Sequence, residues 1–159
     1  MRVYRALGAA AGVLAVVMSL AFVPSSPVEA SPAEAAVCSC VTYLQKNGLM
    51  NFRTSTGSAA DSGADFEAHG YGRWNFPSTP PEGSIMVFDR GAMTADSDDG
   101  HIAVVRSAWF DRSAQQYVVT VHHAGWSVGS SVSNSECSNV RETTFRFSYP
   151  DGVTFYQRY

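Results

Sequence analysis

The sequence predicts an α+β fold: a short N-terminal helix carrying a cysteine, packed on an antiparallel sheet of about five strands. Three observations carry this expectation. Helical spacing is clearest in one early stretch, AVCSCVTYLQKNG (36–48). From residue 84 onward the chain is a succession of short apolar or alternating runs separated by turn residues. The connections between those runs are short, which favours an antiparallel meander over parallel strands joined by crossover helices.

Taken in order, residues 1–35 have the composition of an export signal. Arg2 and Arg5 make a basic start, residues 7–23 form an apolar, alanine-rich run, and small-residue cleavage sites follow at VEA (28–30) and AEA (33–35). The apolar run is short and alanine-rich for a membrane span. An uncleaved anchor is the minor alternative. A lipoprotein reading, with Cys38 acylated, is disfavoured by Val37 just before it, where a small residue is required. Cleavage near 30 or 35 leaves 36–159 as a single domain, long enough for one core and too short for two.

The helix begins after Ser39, a favourable N-cap, with Val41 and Leu44 on one face and Asn47-Gly48 as its stop. It is about two turns long. A thiol in its first turn, Cys40, faces the positive end of the helix dipole, which lowers a cysteine's pKa and raises its thiolate fraction. A free cysteine there reads equally as a small buried hydrophobe.

Residues 49–80 are rich in Gly, Ser, Ala, Asp and Asn, with scattered aromatics, and read as a long packed loop with room for a short helix over 59–68. SIMVF (84–88) is a buried strand. Residues 89–100 form an acidic loop, and HIAVVRSAW (101–109) is the second strand. The third, 116–126, places Tyr117, Val119, Val121 and His123 on one face and His122 on the other. A Ser/Gly/Asn-rich loop over 127–139 precedes strands at 140–147 and 153–159, joined around YPDG (149–152).

The chain has three cysteines, Cys38, Cys40 and Cys137. In an exported protein an odd number leaves one unpaired. We expect a Cys38–Cys137 bridge, since Cys38 lies outside the helix and a bridged Cys40 could not be a nucleophile. A Cys40–Cys137 bridge would remove the thiol altogether.

His101 opens its strand directly after Gly100, where a half-exposed imidazole is free to move a proton. His123 lies in phase with the apolar face of the neighbouring strand and can approach it. A thiolate at a helix N-terminus, a base on a strand, and a third group orienting that base together describe cysteine acyl transfer.

Four stretches in order, CSCVTYLQKNGL, PPEGSIMVF, GHIAVV and VHHAGW, resemble the successive motifs of the CHAP domain, the cysteine- and histidine-dependent amidohydrolase/peptidase family with a papain-like fold. The resemblance implies Cys40 as nucleophile, His101 as general base and His123 at the third position, where the family usually carries Glu. It departs at Ser39, where many members have Gln, and at Gly125, where the family has Asn. It implies a secreted hydrolase of amide bonds in peptidoglycan, acting at stem peptides or at the glycan–peptide junction through a Cys thioester. The alternative is a catalytically impaired module that binds cell-wall peptides. Tyr71, Trp74 and Trp126 are candidates to line the substrate groove.

Other classes fit less well. The net charge of −3 without a Lys/Arg cluster argues against nucleic acid, and after signal cleavage no membrane partner is expected. A metal site from Cys38, Cys40, His122 and His123 is disfavoured because adjacent strand residues point to opposite faces. Cys38-Ser39-Cys40 has the wrong spacing for a thiol–disulfide oxidoreductase. The expected protein needs no cofactor and acts as a monomer.

Overall fold

The computed structural model describes residues 36–95, 98–148 and 152–159. The stretch expected to be an export signal, 1–35, and most of the turn expected over 149–152 lie outside them. Among the described residues no helix is long and apolar enough to cross a membrane.

The fold is α+β, dominated by one antiparallel sheet. Helix α1 (Cys40–Lys46) comes first. A 3₁₀ turn (Ala60–Ser62) leads into helix α2 (Gly63–Ala68), and strand β1 (Tyr71–Trp74) follows. Then come β2 (Ile85–Phe88), β3 (His101–Asp111), β4 (Gln116–Ala124), β5 (Ser130–Ser131), β6 (Val140–Phe147) and β7 (Val153–Arg158). The sheet has seven strands in the order β1-β7-β2-β3-β4-β6-β5.

This corrects the expected meander of about five strands in two ways. Two further strands exist: β1, hidden in what reads as a loop because Tyr-Gly-Arg-Trp is short and flanked by glycine and proline, and the two-residue β5 inside the Ser/Gly/Asn-rich loop. The chain's last strand is also not at the edge. β7 inserts between β1 and β2, pairing Phe155 with Trp74 on one side and with Met86 on the other.

Strand alternation divides the core into two. Ile85, Val87, Ile102, Val104, Ala124 and Val140 point to the face that α1 and α2 cover, joining Leu44, Phe52 and Phe66. Met86, Phe88, Ala103, Val105, Val119 and Val121 point to the opposite face with Phe147 and Phe155. β2 is buried along its whole length, which is why its sequence is apolar without alternation. β3 is buried at its start and exposed beyond Val105, where a bulge shifts its register against β4.

The segment entering α1 is stitched to the loop over 127–139. A disulfide joins Cys38 to Cys137 across 99 residues of sequence. Asn139 clamps the Cys38 backbone twice: its Oδ1 accepts from the Cys38 N–H and its Nδ2 donates to the Cys38 carbonyl, each at 2.8 Å. Ala36 bridges Cys137, the Ser138 N–H donates to Ala36 O, and Lys46 Nζ donates to Glu136 O. A helix of seven residues is too short to persist alone in water, so these ties and its packing hold it.

Candidate active site

A cleft of about 330 Å³ opens at the end of the sheet where β3 begins and β4 ends. Ser39 and Cys40 from α1, Asp99, Gly100 and His101 from the start of β3, and Gly125 and Trp126 from the end of β4 line it. Cys40 is a free, half-buried thiol at the first residue of α1. Ser39 caps the helix as its sequence suggests: Oγ accepts from the Thr42 N–H at 3.1 Å and donates its proton to Thr42 Oγ1 at 2.9 Å.

The thiol is not acidified. Burial pushes the Cys40 pKa up, and the backbone N–H groups of Ile102, Val41 and Cys40 itself, which pull it down, do not outweigh that. The Asp99 carboxylate pushes it further up. The expectation of a lowered pKa does not hold, because burial of the sulfur outweighs the backbone N–H groups around it.

His101 is buried at 5% exposure, not half exposed. It lies opposite Phe88 in the β2–β3 register, and the Trp126 ring packs 4.7 Å from its own, centroid to centroid, so the aromatic rings close over a position that the chain alone leaves open. Burial, and then the neighbouring His123, hold its pKa down to about 3. Its Nε2 is buried without a hydrogen-bond partner among the described residues. Its ring centre lies 5.1 Å from that of His123, with the planes at 87°.

His123 is fully sealed, on the same face as Val121 and Val119. Nε2 is 2.9 Å from Thr143 Oγ1, and Nδ1 is buried without a partner among the described residues. Burial first, then Arg141 and His122, lower its pKa to about 4. His122 points to the other face and pairs with Glu142 at 2.9 Å.

Gly125 explains its own presence. Its φ is +80°, and an added Cβ would lie 3.3 Å from the Cys40 nitrogen and from Ser39 Cα, tight contacts with backbone that has little room to move. Glycine lets the end of β4 close on the start of α1, which brings Trp126 to the cleft.

The three aromatic candidates separate. Trp126 lines the cleft, whereas Tyr71 and Trp74 do not. Tyr71 is a core residue, stacked edge-on against Phe52 and Phe66, with its hydroxyl donating to Leu49 O at 2.6 Å. Trp74 borders a separate groove of about 290 Å³ along β1 and β7, and its indole N–H donates to Ser78 O. Both sit on β1, and placing them near Cys40 assumed a loop folded over the cleft where the chain instead forms an edge strand.

Neither rival site is assembled. Cys38 is taken by its bridge to Cys137, and His122 is turned to Glu142. Among the described residues no group of three or more His, Cys, Asp or Glu is placed to hold a metal ion. Sequence reasoning did not single out Asp99, Asn139 or Thr143. Each is an ordinary residue type for a loop or strand, and only the tertiary pairing gives it a role.

The fold and the cleft thus define an α+β protein with a cysteine and two buried histidines at one end of an antiparallel sheet. No protein-family model matches the chain, and no curated protein matches it. Among solved structures it is similar in fold to an N-acetylmuramoyl-L-alanine amidase from Staphylococcus aureus, with a TM-score of 0.51 at 16% identity. The match covers 76% of this chain and 30% of that one.

Proposed function

We propose that the protein is a secreted cysteine hydrolase of amide bonds in peptidoglycan, with Cys40 as nucleophile, His101 as general base and acid, and His123 as the group that orients His101. The observation that carries this reading is one cleft lined by a helix-start thiol and a buried imidazole, with a second imidazole packed behind the first. The four CHAP-like motifs and the fold likeness to a cell-wall amidase support the substrate class.

In the resting site thiol and imidazole are both neutral, because burial raises the one pKa and lowers the other. Proton transfer therefore accompanies bond formation. With His101 Nε2 sealed in the core, Nδ1 is the nitrogen left to serve the cleft. It takes the thiol proton as sulfur attacks the carbonyl carbon, and the carbonyl oxygen gains the negative charge. The Cys40 backbone N–H, at the start of the helix, is the donor available to it. The Ser39 hydroxyl is committed to Thr42 and does not contribute. Collapse of the tetrahedral intermediate breaks the C–N bond, with the proton passing from His101 to the leaving amine. Water, deprotonated by His101, then hydrolyses the thioester and restores the thiol.

Digestion of purified peptidoglycan by wild type and Cys40→Ala, with mass spectrometry of the fragments, tests this. Wild type releases new amine ends that identify the bond, and the variant loses at least about a thousandfold in rate. Equal digestion by both proteins would leave only the wall-binding module.

A further inference from the structure

We propose that Thr143 is a positioning residue of this site, holding His123 with its proton on Nε2 so that Nδ1 is left as an acceptor for His101. The inference rests on the reading of Cys40 and His101 given above.

The hydrogen-bond partners of His123 favour one assignment. Thr143 Oγ1 lies 3.1 Å from Val128 O and 2.9 Å from His123 Nε2. A carbonyl only accepts, and the geometry lets the hydroxyl donate to Val128 O, which leaves the Thr143 oxygen as an acceptor for the ring. With the proton so placed, the Thr143 oxygen accepts from the ring and His123 Nε2 carries a proton, and the Val128 carbonyl, itself a hydrogen-bond partner of His123, favours the same tautomer. The neutral ring then has its lone pair on Nδ1. That atom is buried without a partner among the described residues, and so is His101 Nε2, on a ring centred 5.1 Å away.

The two orphaned atoms are complementary in chemistry. The two atoms do not hydrogen-bond to each other in the resting site. When His101 takes the thiol proton, however, its Nε2–H becomes a charged donor, and an imidazole lone pair on the neighbouring ring stabilises that state. In the other tautomer His123 would present an N–H to an N–H, and the imidazolium would be opposed. A base held by a partner in the wrong tautomer is a large loss in such sites.

The fold is shaped to keep the contact. β4 and β6 pair His123 with Arg141 and Val121 with Thr143, so Thr143 is the diagonal neighbour of His123 on one face. The loop after Trp126 brings the Val128 carbonyl over the hydroxyl through Gly129, whose φ is +92°. A Cβ on Gly129 would collide with Thr143 Oγ1 and the Glu142 carbonyl.

The test is ¹⁵N-histidine NMR of the full chain at neutral pH, with steady-state kinetics on soluble muropeptides, for wild type, Thr143→Val and Thr143→Ser. In wild type, His123 shows a protonated Nε2 and a lone-pair Nδ1. Thr143→Val, similar in shape, moves the ring toward the other tautomer and lowers kcat by about 10–100-fold, with KM within about twofold. Thr143→Ser restores both. A wild-type His123 protonated on Nδ1 overturns the proposal, as does a Val variant that keeps the tautomer and kcat. If Cys40→Ala digests peptidoglycan normally, the enzyme reading fails while the tautomer result still stands or falls by itself.

Discussion

The two sides of the cleft are held by different means. The thiol side is a seven-residue helix and its entry segment, fixed by one disulfide, one doubly bonded asparagine and a few backbone contacts to the loop over 127–139. The imidazole side is the middle of a seven-stranded sheet, where His101 and His123 are kept by register and by the rings of Phe88 and Trp126. Discrete ties fail one at a time and can be cut singly, whereas a sheet gives way cooperatively. The thiol's position is therefore the separable variable of this site, and the imidazole's position is a property of the fold.

The largest separation of the two sides should come from the bridge. Replacing Cys38 and Cys137 by serine frees a loop of 99 residues and should cost about 2–5 kcal/mol in unfolding free energy. Thermal melts with and without reductant measure it. A melting temperature unmoved by either would mean that Asn139 and the backbone ties at Ala36 fix the segment without the bridge.

The imidazole side should respond to acid. His101 and His123 have folded pKa values of about 3 and about 4, both below the free histidine value. Between pH 6.5 and about 4 the unfolded chain binds more protons than the folded one, so stability falls as pH drops through that window and is fully present above it. The slope is at most about 1.4 kcal/mol per pH unit per histidine. Urea titrations from pH 7 to pH 4 should show it, and His123→Asn should flatten it. A slope unchanged in the variant would mean other groups cause the acid loss.

The smallest effect belongs to the cap. Ser39→Ala removes the acceptor for the Thr42 N–H and should cost about 1 kcal/mol. It should leave Cys40 alkylation by iodoacetamide climbing with pH through the range above an ordinary thiol, as burial dictates in the wild type. A plateau at neutral pH in either protein would instead indicate a preformed thiolate and contradict the raised pKa.

How much could be read beforehand follows the range of the signal. The Ser39 cap, the start of the helix at Cys40 and the phase that buries His123 with Val121 are local patterns, visible in a few residues. The sign of the Cys40 shift and the burial of His101 are not local signals, since the thiol meets Ile102 of β3 and the imidazole meets Trp126, each distant in sequence. The place of Tyr71 and Trp74 is equally non-local: β1 finds its partner in β7, more than eighty residues later, and no local pattern announces it. Thr143 was invisible because its partner Val128 belongs to a loop, and only pairing with β4 brings His123 to it.

That loop has a consequence for how the chain can change. Stretches rich in Ser, Gly and Asn at the surface are where insertions are ordinarily absorbed without harm. Here the first turn is pinned by Val128 on Thr143, the middle by the Val132 N–H on Val140 O, and the end by Asn134 Oδ1 accepting from the Glu136 and Cys137 N–H groups. An inserted residue would have to be absorbed near Ser133 or be transmitted to one side of the cleft. A segment that looks like slack is the taut part of the molecule.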